Sequence, residues 1–103
     1  MRVSMPVMAA CCLETLRIGD RQQFGVVAEK LREIGVDVKD CWLTEQTAQH
    51  NRDNRFEAAS VAMEELLSAI SQRDERGVKR ATHKLRHQAG LSVKVNESLT
   101  ASV

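Results

Sequence analysis

The sequence predicts an all-α fold, a small bundle of about four helices, on three observations. Aromatic residues make up only 3% of the chain (Phe24, Phe56 and Trp42, with no Tyr), so Leu, Val, Ile, Met, Ala and Cys must fill the interior. That composition suits helix-on-helix packing better than a sheet. Five glycines and one proline leave little of the punctuation a strand-rich chain needs. Apolar residues recur at helical spacing between capping signals. At 103 residues the chain makes one domain, placed at residues 4–95 with a flexible tail over 96–103. A core of this size is often supplemented by self-association.

Ser4 can cap a first helix with Pro6 in its opening turn, and Met5, Met8, Cys12 and Leu16 follow at helical spacing until Gly19 offers a stop. Asp20 with Gln23 reads as a capping box for a second helix, whose stripe Phe24, Val27, Ala28, Leu31 and Ile34 ends at Gly35. The short spacing between the two predicts an antiparallel hairpin. Val36 to Leu43 is a short apolar connection that can run extended, and Thr44 to Asp53 is polar, weakly helical and read as a mobile loop.

Asn54 with Glu57 reads as another capping box. From there Phe56, Ala59, Met63, Leu66 and Ile70 hold heptad a/d spacing, which is expected to seal a homodimer. Asp74 can cap a fourth helix that carries Val78, Ala81, Leu85 and Ala89 inward, with Gly90 at its C-cap. Leu91, Val93 and Val95 then alternate with polar residues, and Asn96 to Val103 reads as a frayed end. No internal repeat or low-complexity segment is evident.

The formal net charge of +1 argues against a chain-wide nucleic-acid or membrane field. Three cysteines, two of them adjacent (Cys11, Cys12, Cys41), fit a reducing cytoplasm better than a disulfide framework. Met8-Ala9-Ala10-Cys11 has the outline of a lipoprotein cleavage site, but the apolar run before it is short and holds Pro6, so export is disfavoured. No stretch is long and apolar enough to predict a membrane span.

Chemistry concentrates in one segment. From Arg73 to His87 six Lys or Arg face two carboxylates, a local excess of four positive charges in a chain of +1. Arg76, Arg80, His83, Lys84 and His87 share one helical face, so the segment offers a basic stripe to an acidic protein surface or a phosphate backbone. Direct nucleic-acid binding is disfavoured, because a recognition helix should follow a short partner helix across a tight turn. His83 and His87 at i, i+4 supply half a metal site, with Cys11, Cys41 or His50 as the further ligands it would need. No recognised spacing brings those ligands in, and neither a metal nor a cofactor is expected. Glu29, Glu33, Glu64 and Glu65 lie at surface spacing, no Gly-rich phosphate loop occurs, and no complete catalytic constellation appears, so the chain reads as a binding protein and not an enzyme.

The run Ala81-Thr-His-Lys-Leu-Arg-His-Gln-Ala-Gly90 resembles the histidine phosphotransfer domain, in which a helix carries an exposed histidine in a His-x-Leu-Lys-Gly setting. His83, Leu85 and Arg86 match in turn, and the small residue one turn on is His87 here. The likeness covers roughly residues 64–90 and implies His83 as a phosphoacceptor, an alternative reading to docking. In length, low aromatic content, and a Met- and Cys-bearing first helix followed by the amphipathic DRQQFGVVAEKLREIG, the chain resembles the small quorum-sensing antiactivators. That resemblance implies binding to a LuxR-type transcription factor, blocking its dimerisation and hence its DNA binding. It carries no residue over position by position. The contact residues expected from the pattern are Arg76, Lys79, Arg80 and Lys84 on the basic helix and Phe24, Val27 and Leu31 on the second helix.

Overall fold

The computed structural model describes residues 4–41 and 52–100. Helix α1 (Met5–Ile18) and helix α2 (Arg21–Glu33) form a hairpin that runs into strand β1 (Val36–Asp40). Helix α3 (Arg52–Ser71) and helix α4 (Glu75–Ala89) form a second hairpin that runs into strand β2 (Leu91–Val95), followed by a 3-10 turn (Glu97–Leu99). The described residues are therefore mostly helical, with four helices and a small two-stranded sheet added to the expected bundle. No helix among the described residues is long and apolar enough to cross a membrane.

The helix ends follow local chemistry. Ser4 accepts from the Val7 N–H at 3.4 Å, and Gly19 closes α1 in the left-handed region at φ 78°. The Asp20 carboxylate accepts from the Gln23 N–H at 3.1 Å, and the Asp74 carboxylate from the Gly77 N–H at 3.0 Å. These caps satisfy amides that have no partner in the first helical turn. Gly90 ends α4 at φ 66°. The Asn54–Glu57 box is not used: α3 begins at Arg52, so Asn54 sits inside the helix. Of the expected loop from Thr44 to Asp53, residues 44–51 lie outside the described residues and Arg52 and Asp53 are helical.

The two halves are one αα-strand unit built twice. Strand β1 pairs antiparallel with β2 in a register centred on Val38 opposite Val93, with Val36 opposite Val95 and Asp40 opposite Leu91. A two-fold axis through the central pair exchanges the strands. The interhelix turns repeat bond for bond. The Gly19 N–H donates to Leu16 O at 3.2 Å and the Arg73 N–H to Ile70 O at 3.0 Å, while the Asp20 N–H donates to Thr15 O at 2.9 Å and the Asp74 N–H to Ala69 O at 2.8 Å. Gly19 and Arg73 both take positive φ, 78° and 55°. Past the strands, Cys41 N–H donates to Gly90 O at 2.8 Å and Asn96 N–H to Gly35 O at 2.7 Å, again as counterparts.

The core obeys the same duplication. Its largest fully buried side chains fall into three equivalent pairs: Cys12 with Leu66, Leu31 with Leu85, and Val36 with Leu91. The expectation that no internal repeat exists is thus overturned. Its traces in the sequence are an aspartate followed at equal distance by Lys-Leu-Arg, as Asp20 with Lys30-Leu31-Arg32 and Asp74 with Lys84-Leu85-Arg86, and the recurring Val38-Lys39 and Val93-Lys94.

Two further expectations need correction, and one tie between the halves had no sequence signal. The heptad stripe does not face outward: Ala59, Met63, Leu66 and Ile70 are buried within the single chain, and Phe56 packs against the same core. Heptad spacing marks an apolar stripe, and here the chain's own helices α4 and α1 cover it. Residues 96–100 are not a frayed tail either. Asn96 accepts from the Ser98 N–H at 3.0 Å, Thr100 is buried, and a Cβ on Gly35 would meet Leu99 Cδ1 at 2.9 Å. Finally, a buried arginine ties the halves together. Arg55 donates to Ala89 O at 2.6 Å and pairs with Asp40, linking the start of α3 to β1 and the end of α4.

Candidate functional site

Helix α4 is the most sharply two-sided element of the fold. Ala81, Leu85 and Ala89 are buried against the core, with Val78 packed beside them. The opposite side carries Arg76, Lys79, Arg80, His83, Arg86 and His87, all exposed. The basic stripe expected from the sequence is therefore a solvent-facing ridge along one helix.

Individual residues on the ridge differ in how committed they are. Lys84 leans off it toward α3, where its Nζ donates to Glu65 Oε2 at 2.9 Å and Oε1 at 3.1 Å. Arg80 lies 3.9 Å from Asp74 with its side chain 69% exposed, a contact of little energetic weight. Between α3 and α4 runs an open groove of about 510 Å³, with Glu64, Glu65 and Ser68 on one wall and Arg80 and Lys84 on the other. Gly77 also lines the groove, where a Cβ would meet Asp74 Oδ2 at 2.6 Å and Ala69 Cβ at 2.9 Å.

His83 and His87 stand together with ring centroids 4.1 Å apart and planes tilted by 41°. The position one turn beyond His83, where phosphotransfer to a response-regulator face needs a small residue, is thus filled by a second imidazole. Among the described residues no third ligand gathers around the pair to hold a metal ion. His50 lies outside the described residues. Cys11 is exposed, Cys41 half-buried and Cys12 buried. Burial, with Asp40 and Cys11 nearby, pushes the Cys12 thiol up to about 12, which leaves it an unreactive core group.

The second set of expected contacts is turned largely toward the core. Leu31 is fully buried, and Phe24 and Val27 pack partly against the core, so they hold α2 to the fold. The outward positions of α2 are instead Gln22, Gly25, Val26, Glu29 and Glu33.

The duplication turns α2 into an internal control for α4. Lys84 and Arg86 have the same residues at their counterparts, Lys30 and Arg32. Arg76, Lys79, Arg80, His83 and His87 stand where α2 has Gln22, Gly25, Val26, Glu29 and Glu33. The equivalent helix of the repeated unit folds without those cations, so the unit does not require them. That contrast was present in the sequence and became readable only once the repeat was aligned. No protein-family model matches the chain, and no curated protein or solved structure shows significant similarity to it.

Proposed function

We propose that the protein is a binding regulator that docks an acidic surface of a partner protein through the α4 ridge, with Arg76, Lys79 and Arg80 as the principal contacts. The observation that carries this reading is the mismatch between α4 and α2: five neighbouring outward positions have become cationic or imidazole in one copy of the unit and not in the other. Cations surplus to folding, clustered on one rigid helix, supply electrostatic steering and orientation for association. Their guanidinium groups also suit bidentate pairing with carboxylates.

The resemblance to small quorum-sensing antiactivators makes a LuxR-type transcription factor the first partner to test, with inhibition arising from blocked dimerisation and loss of DNA binding. The test adds the purified protein to such an activator and follows the activator's mass by light scattering and its operator binding by anisotropy. Loss of both the activator dimer and its DNA complex supports the reading, and the triple variant Arg76→Glu, Lys79→Glu, Arg80→Glu should lose the effect. An activator that keeps its dimer and its DNA at saturating inhibitor refutes that choice of partner.

A further inference from the structure

We propose that a second copy of this chain covers the outer face of α1, in an antiparallel two-fold pair that lays Val7 of one copy on Ile18 of the other. This does not depend on what binds α4. Helix α1 is apolar on both sides: Ala9, Cys12 and Leu13 face the core, while Val7 and Ile18 are left 51% and 57% exposed, with Ala10 and Cys11 exposed beside them. On the neighbouring helix Val26 is 49% exposed. Three of the four large apolar side chains exposed among the described residues thus lie on the first hairpin. Apolar side chains grouped on an outer face, broken here only by the Glu14–Arg17 pair, mark a surface that gains from being covered.

The other hairpin shows that folding does not demand this. At the counterparts of Ala10, Cys11, Ile18 and Val26 it carries Glu64, Glu65, Gln72 and Arg80. Of the positions compared, only Val7 keeps its apolar type, in Val61, which is 59% exposed and set among Glu57, Glu64 and Glu65.

Three features select a second copy as the occupant. The outward stripe Val7, Cys11, Glu14, Ile18 has spacings of four, three and four residues, so its positions repeat in both directions, with Val7 set against Ile18 and Cys11 against Glu14. An antiparallel copy therefore meets its own pattern, as a two-fold contact requires. The face is also neutral, since its Glu14 and Arg17 are paired with each other. A two-fold contact through α3 alone or α4 alone would instead set like charges against like. Size sets the strength: the 14 residues of α1 span about 21 Å, and a hairpin about 20 Å wide offers several hundred Å² per copy. That is short of the roughly 800 Å² per partner of a standard interface, so the dimer should dissociate in the micromolar range.

Sedimentation velocity across a dilution series tests this, with a control supplied by the duplication. Wild type is expected to pass from dimer to monomer on dilution. Val7→Glu or Ile18→Glu should weaken the dimer at least tenfold with an unchanged circular-dichroism melt, whereas Val61→Glu at the equivalent position should leave it intact. As an independent readout, a short bismaleimide should crosslink wild type into dimers through Cys11, and Cys11→Ser should abolish the product. A wild type that stays monomeric into the high micromolar range, or a Val61→Glu variant as impaired as Ile18→Glu, would overturn the proposal. Reversal of Arg76, Lys79 and Arg80 should not disturb this dimer, which separates its failure from failure of the docking ridge.

Discussion

Asp20 and Asp74 perform the same task in the two halves of the chain. Each caps the second helix of its hairpin through the N–H three residues on, and each donates its own N–H back to the preceding helix, to Thr15 and Ala69 respectively. The aspartate thus fixes both the start of one helix and the turn out of the other. Replacing either by Ala removes the side-chain acceptor and should cost about 1 kcal/mol. Urea denaturation of Asp20→Ala and Asp74→Ala should give losses of similar size; a loss confined to one would break the equivalence.

Two glycines at non-equivalent positions of the second helices, Gly25 opposite Lys79 and Gly77 opposite Gln23, differ in the room around them. Nothing lies within 4 Å of a Cβ built on Gly25, whereas one on Gly77 would strike the capping carboxylate of Asp74 and the methyl of Ala69. Gly25→Ala should stabilise the protein by about 0.5–1 kcal/mol through helix propensity. In Gly77→Ala the overpacking should prevail, with a loss of about 1–3 kcal/mol. Thermal melts of the pair check the opposite signs.

Cys12 gives the fold a pH signature. Its thiol rises from 9.0 in the unfolded chain to about 12 in the native core, so above pH 9 the unfolded chain sheds a proton that the native state keeps. The unfolded state then binds fewer protons, and stability falls as pH rises through the window from 9.0 to about 12. The contribution has a slope of up to about 1.4 kcal/mol per pH unit. Urea titrations between pH 8 and pH 11 should show this decline and a shallower one in Cys12→Ala. Equal slopes would mean the thiol is not protected.

Much of this was legible in advance, because it rests on short-range chemistry. Ser4, Asp20, Asp74 and Gly90 announced their helix ends, and Ala81, Leu85 and Ala89 announced the inward side of α4. What failed were inferences about what covers a stripe. Phe56 to Ile70 carries the same spacing whether its cover is another chain or the chain's own helices, and Leu31, with the half-buried Phe24 and Val27, read as a contact while the inward side of α2 was unknown. The duplication was hidden because its halves agree mainly in the core and the caps. At solvent positions they differ in chemistry, Glu29 against His83 and Val26 against Arg80, and surface residues dominate the eye. The Arg55 clamp on Asp40 and Ala89 left no local signal, since it joins segments far apart in sequence.

The most direct test of the α4 ridge compares two charge reversals by association kinetics against an immobilised LuxR-type activator at several salt concentrations. One variant reverses the ridge cations that α2 lacks, Arg76, Lys79 and Arg80, and the other reverses Lys30 and Arg32, which both copies of the unit share at these positions. Exposed steering charges act on encounter rate and are screened by salt. The ridge reversal should slow association by about tenfold or more and flatten its salt dependence, while reversal at Lys30 and Arg32 leaves both near wild type. Equal effects from the two variants, or none from the ridge, would contradict the assignment of α4 as the docking surface.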